Sequence, residues 1–165
     1  MCAGLIYSKP VVRKFIAATH GIGWILKLLL RDVGPMPSLV EHACTLLSNL
    51  VVVEPKLQER AREQRAFETI SRYLQRVDRT APSANGSAEI DDEGNGEAVT
   101  ILYTLLQKLA FNHTANIRSA GADVGLLRCL QADCRAESGP QELRDAAAEL
   151  LLQLSTPTAA SAPPA

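Results

Sequence analysis

Aromatic residues are scarce. Three Phe, three Tyr and one Trp make up 4% of the 165 residues. Sandwiches and barrels draw on aromatic and β-branched strands, so this shortage disfavours an all-β fold. Cysteine is sparse too. Cys2, Cys44, Cys129 and Cys134 form no CxxC pair and lie at no ligand spacing from His20, His42 or His113. A tetrahedral zinc site needs clustered Cys and His, so no metal is expected. The thiols read as reduced, with Cys44 and Cys129 inside apolar helical stretches. A dominant charge is also missing: the net charge of −1 speaks against a nucleic-acid binder that works by bulk charge. No apolar run is long enough for a membrane span, which needs roughly 20 mostly apolar residues. The nearest, residues 15–30, contains His20, Lys27 and two glycines and is followed by no cleavage signal. A cytoplasmic location is expected, with the nucleus or cytoskeleton as alternatives.

Catalytic signatures are absent as well. Gly21-Ile22-Gly23 lacks the third glycine and the preceding strand of a phosphate-cradling loop. No Ser sits in a nucleophile elbow. The three histidines are far apart, each beside an expected helix end or loop. Asp91-Asp92-Glu93 lacks the alternation and closing Glu of a calcium loop. No cofactor is expected.

What is present is Leu, Ala and helical periodicity. Leu39, Ala43, Leu46, Leu47 and Leu50 step by three and four, as do Val99, Leu102, Tyr103, Leu106, Leu109 and Ala110. Leu143, Ala146, Ala147, Leu150, Leu151 and Leu154 form a third such stripe. Each marks one apolar helix face. The chain also matches itself at an offset of 45: Leu5 falls on Leu50, Ile22 on Phe67, Ile25 on Ile70, and Leu109 on Leu154. Three units follow, about residues 8–53, 54–112 and 113–155. Each holds a short helix (10–19, 55–64, 116–121), a second (21–31, 66–77, 123–132) and a longer third (38–52, 97–111, 141–154). The extra residues of the middle unit, 80–96, read as an acidic disordered insert, and 156–165 as a disordered C-terminal tail. Residues 1–7 read as the end of a third helix. The chain is therefore expected to continue a longer repeat protein, whose upstream repeats or a partner would cover the face around Leu5, Phe15 and Trp24.

The segment Ala43-Cys44-Thr45-Leu46-Leu47-Ser48-Asn49-Leu50 resembles the end of an armadillo third helix. Pro10-Val11-Val12-Arg13-Lys14-Phe15-Ile16, then Gly21-Ile22 and Ile25-Leu26-Lys27-Leu28-Leu29, resemble the next two helices. Ser119-Ala120-Gly121-Ala122 resembles the glycine corner between them. The likeness spans residues 1–155, with motifs shared in part by HEAT-type repeats. It implies an all-α fold, an armadillo-like right-handed superhelix of about three three-helix repeats. It also implies a non-enzymatic scaffold or adaptor that binds a protein partner on the groove lined by third helices. Alternatives are a regulatory or exchange-factor-like helper of a small GTPase, and an enzyme with an unrecognised site.

In the importin-alpha-like branch a ladder of Trp and Asn four residues apart reads the peptide. The matching pairs here are Thr45/Asn49, Thr104/Lys108 and Glu149/Gln153. Only Asn49 keeps the ladder residue, and the single Trp, Trp24, lies in a second helix. A basic nuclear signal is therefore not the expected ligand, although these polar side chains suit a peptide backbone. One further patch stands out. Lys56, Arg60, Arg62, Arg65, Arg72, Arg76 and Arg79 interleave with Glu54, Glu59, Glu63, Glu68 and Asp78. This reads as a salt-bridge-laced surface, or alternatively as a patch for an acidic partner or RNA, nucleic acid being the less expected.

Overall fold

The computed structural model describes residues 14, 21–29, 37–53, 56–77, 92–137 and 140–155. Among these the chain is all-α, with eight helices and no strand. The first unit contributes α1 (Gly21–Leu29) and α2 (Pro37–Val53). The second contributes α3 (Lys56–Glu63), α4 (Ala66–Arg76) and α5 (Asp92–Ala110). The third contributes α6 (Thr114–Gly121), α7 (Val124–Arg135) and α8 (Gln141–Ser155). The expected short first helix at 10–19, apart from helical Lys14, lies outside the described residues, as do 1–7, 80–91 and the tail 156–165.

Start signals in the sequence explain several boundaries. Proline fits the first helical turn because it lacks only an N–H that would go unbonded there. α2 begins at Pro37, and Pro140 directly precedes α8. Asp123 caps α7, its carboxylate accepting the Leu126 N–H at 2.9 Å. His113 caps α6, its Nδ1 accepting the Asn116 N–H at 3.2 Å. One expectation is corrected here: α5 starts at Asp92, so residues 92–96 of the expected insert are helical. Gly94, Asn95 and Gly96 are poor helix formers, which hid this start. Packing outweighs propensity: Gly96 lies against Pro140, and Ala98 and Val99 are buried immediately beyond.

The helices pack in three columns. α2, α5 and α8 lie side by side in that order. α1, α4 and α7 form a second column, and α3 packs on α6 in a third. Each helix therefore meets its counterpart one unit along, as a chain of stacked repeats requires. The apolar stripes fill the space between columns. Leu102, Tyr103, Leu105 and Leu106 of α5 are wholly buried, joined by Phe67 and Ile70 of α4 and by Leu47, Leu50, Leu126 and Leu150 from the other units. Burying one such side chain contributes about 1.5–3 kcal/mol. α5, with a neighbour in every column, is the centre of that core.

Polar bonds tie the units where the apolar contacts end. The last carbonyls of a helix have no partner inside it. At the end of α5 these acceptors are met from three directions. Gln153 Nε2 donates to Gln107 O (3.2 Å), Gln58 Nε2 to Lys108 O (2.8 Å) and to Phe111 O (3.1 Å). Asn116 Nδ2 donates to Leu109 O (2.7 Å), and the His113 N–H to Ala110 O (3.1 Å). Asn116 also reaches Gln58 O at 3.1 Å, which closes a clasp between α3, α5 and α6. Deeper in the core, the Tyr103 hydroxyl donates to the buried Asp133 carboxylate and joins α5 to α7.

Two glycines separate appearance from need. Gly121, in the expected corner, has negative φ, and a Cβ there would meet nothing. Gly125 is the more crowded: a Cβ there would press on the side-chain amide of Gln75 and lie 3.1 Å from Ser71 Oγ, where α4 approaches α7. Gly121→Ala should therefore raise stability by up to about 1 kcal/mol through helix propensity, read as a rise in urea midpoint. Asn116→Ala should lower it by about 1–3 kcal/mol for each acceptor left bare. A urea midpoint unchanged by Asn116→Ala would refute the clasp.

Candidate functional site

The six candidate groove residues sit at equivalent positions of the column formed by α2, α5 and α8. Thr45 and Asn49 are on α2, Thr104 and Lys108 on α5, and Glu149 and Gln153 on α8. A spacing of four keeps each pair on one helix face. Because α2 packs on α5 and α5 on α8, the three pairs follow one another across one layer. Thr45 and Glu149 are exposed; Asn49, Thr104, Lys108 and Gln153 are half-buried.

Their hydrogen bonds divide them. The Thr104 hydroxyl donates to Thr100 O at 3.0 Å along its own helix. Gln153 is committed through its amide to the Gln107 carbonyl, and Glu149 Oε2 accepts from Gln107 Nε2 at 3.3 Å. Gln107 Nε2 also donates to Ala146 O at 3.1 Å. Gln107 thus knits α5 to α8 and engages both members of the third pair. Lys108 is bonded through its backbone carbonyl to Gln58, which leaves its ammonium out of that clasp. The side chains best placed to meet a ligand are therefore Thr45, Asn49 and Lys108.

Sequence reasoning missed two things at this face. One is Gln107, whose position corresponds to Ser48 and Leu152 in the other units, so periodicity gives no polar signal there. The other is an apolar rim. Val52, three residues beyond Asn49, is 61% exposed, and Phe111, three beyond Lys108, is 63% exposed. Regular spacing from the candidate pairs is the signal that points to them.

Titratable groups elsewhere play structural parts. Glu59 bonds to Arg62 and lies 3.2 Å from His113 Nε2, linking α3 to the cap of α6. Its bond to Arg62 chiefly holds the Glu59 carboxyl below the usual range. Burial pushes the Cys44 thiol up to about 12 and raises Tyr73 as well. Cys134 is raised mainly by burial, then by the neighbouring Asp133. No group of three or more His, Cys, Asp or Glu side chains that would hold a metal comes together among the described residues. No helix among them is long and apolar enough to cross a membrane.

No protein-family model, curated protein or solved structure matches the chain.

A thiolate is the reactive form of cysteine, so a thiol held protonated in an apolar core stays inert. Cys44 should remain unmodified by a maleimide at mildly alkaline pH and become reactive only in denaturant, as read by peptide mass spectrometry. Labelling of Cys44 at the rate of the denatured chain would contradict the packing of α2 against α5.

Proposed function

We propose that this chain is a non-enzymatic protein-binding module, an armadillo-like repeat array whose third-helix layer receives an extended peptide from a protein partner. The observation that carries this reading is the register of Thr45/Asn49, Thr104/Lys108 and Glu149/Gln153 on three adjacent helices. Helices repeated side by side make a long, regular surface, and such surfaces suit extended ligands better than compact ones. Asn49 brings both a donor and an acceptor, which is what a peptide backbone offers in return. Lys108 adds a positive charge that favours a carboxylate on the ligand over a basic signal. Val52 and Phe111 supply apolar contact beside the polar pairs, and exposed aromatic or aliphatic anchors are where binding energy concentrates.

The test is a comparison of ligands selected on the wild-type surface. Peptides enriched from a random display library on the intact chain should bind the Asn49→Ala, Lys108→Glu variant at least about tenfold more weakly, a loss of ~1.4 kcal/mol. Helicity and melting temperature should stay nearly unchanged, because neither side chain carries the α5 clasp. Full affinity in the doubly substituted protein would sink the groove reading.

A further inference from the structure

On the column of α1, α4 and α7, α1 and α4 leave a cleft of about 360 Å³ between them. Trp24, Lys27, Gln64, Arg65, Glu68 and Arg72 line it. Four features set it apart from an ordinary crease between helices.

First, Trp24 is 70% exposed, an unusual position for a large indole, and Lys27 Nζ stands 5.4 Å from the centre of its ring. Second, the lining carries three cations and one anion, in a chain whose net charge is −1. Third, that anion is loosely held. Glu68 lies 3.7 Å from Arg65 and 3.8 Å from Arg72, and all three side chains are largely exposed. Such pairs are worth little in water and are easily exchanged. Fourth, Gln64 Oε1 is buried without a hydrogen-bond partner.

Arg65 adds a backbone argument. It occupies the N-cap position of α4 in the left-handed region, φ 57°, and makes no capping bond. The same position before α7 holds Asp123, which does cap. A non-glycine residue there strains the backbone, and an arginine gives up the cap as well. Local rules broken in this way concentrate at functional positions.

We propose that this cleft is a second docking site, separate from the third-helix layer, which takes an acidic extended peptide segment of a partner protein. Arg65 and Arg72 meet its carboxylates in place of Glu68. Guanidinium groups suit carboxylates because their N–H pairs match the two oxygens. The Gln64 amide lines the cleft with its Oε1 unpartnered against Gly23, and a side-chain rotation lets it accept a backbone N–H, while Trp24 covers an apolar flank. A peptide fits better than a nucleic acid. Gln64 Oε1 and the remaining Glu68 carboxylate both call for donors, which a peptide offers at every residue and a sugar–phosphate strand of DNA does not.

Trp24 is the single tryptophan, so its fluorescence reports on this cleft alone. In the free full-length chain it should show the red emission of a solvated indole. A synthetic Asp/Glu-rich peptide should change that emission saturably, and its Asn/Gln counterpart should not. Arg65→Glu with Arg72→Glu should weaken binding about tenfold or more at unchanged helicity. Glu68→Gln, which frees both arginines, should tighten it several-fold, a gain that misfolding does not mimic. The Asn49→Ala, Lys108→Glu variant should respond like wild type, so failure here and failure of the groove reading are told apart. Blue-shifted emission in the free chain would overturn the proposal by showing the cleft already filled. So would a silent titration with the acidic peptide, no tightening by Glu68→Gln, or equal binding of oligothymidylate.

Discussion

The structure depends on how the C-terminal end of α5 is closed. A buried helix end exposes carbonyls that must be bonded or carry a desolvation penalty of about 1–3 kcal/mol each. Here Gln58, Asn116 and Gln153 come from the helices before and after to meet them. Leucine stripes bring the layers together without fixing how far one helix slides along the next. Side chains bonded to particular carbonyls do fix it. The apolar core therefore supplies most of the attraction, and these amide clasps set the register.

Charge organises the outer face of the second unit in a similar way. Glu59 faces both Arg62 and His113, so a carboxylate on α3 steadies the residue that caps α6. The exposed pairs on α4 add little energy individually. Their arrangement matters more: the arginines converge on one glutamate at a cleft instead of pairing one-to-one along the helix.

Much of this was legible beforehand. The stripes placed α2, α5 and α8, and the expected helix starts at 38, 123 and 141 lie within a residue of the observed Pro37, Val124 and Gln141. The 45-residue match of Ile22 with Phe67 paired two positions that are both buried. What was hidden has physical causes. The early start of α5 was masked by residues of low helix propensity that packing overrides. Gly121 looked like the glycine a corner needs, yet the crowding falls on Gly125, because close approach is a property of neighbouring helices and not of local sequence. The six candidate groove residues came from the resemblance to the armadillo peptide ladder, which carries no information on their hydrogen bonds. Gln107, which engages two of them, sits where the repeat pattern carries an apolar or small residue elsewhere. The cleft was invisible for a related reason: Trp24 and Arg65 are far apart in sequence, and the left-handed backbone of Arg65 has no compositional mark.

The clasp at α5 has a consequence for communication along the chain. Asn116 bonds simultaneously to the last turn of α5 and to α3, so loosening α6 and fraying that turn are a single event. Lys108 lies in the same turn, and its carbonyl is held by Gln58. A ligand that orders the turn carrying Lys108 lowers the entropy still to be lost when α6 or α3 is gripped from outside. If the third-helix layer binds a ligand as proposed, whatever grips α6 or α3 would by thermodynamic reciprocity sharpen affinity at Lys108 by the same factor. The two columns are thereby joined through the amide side chains of Gln58 and Asn116.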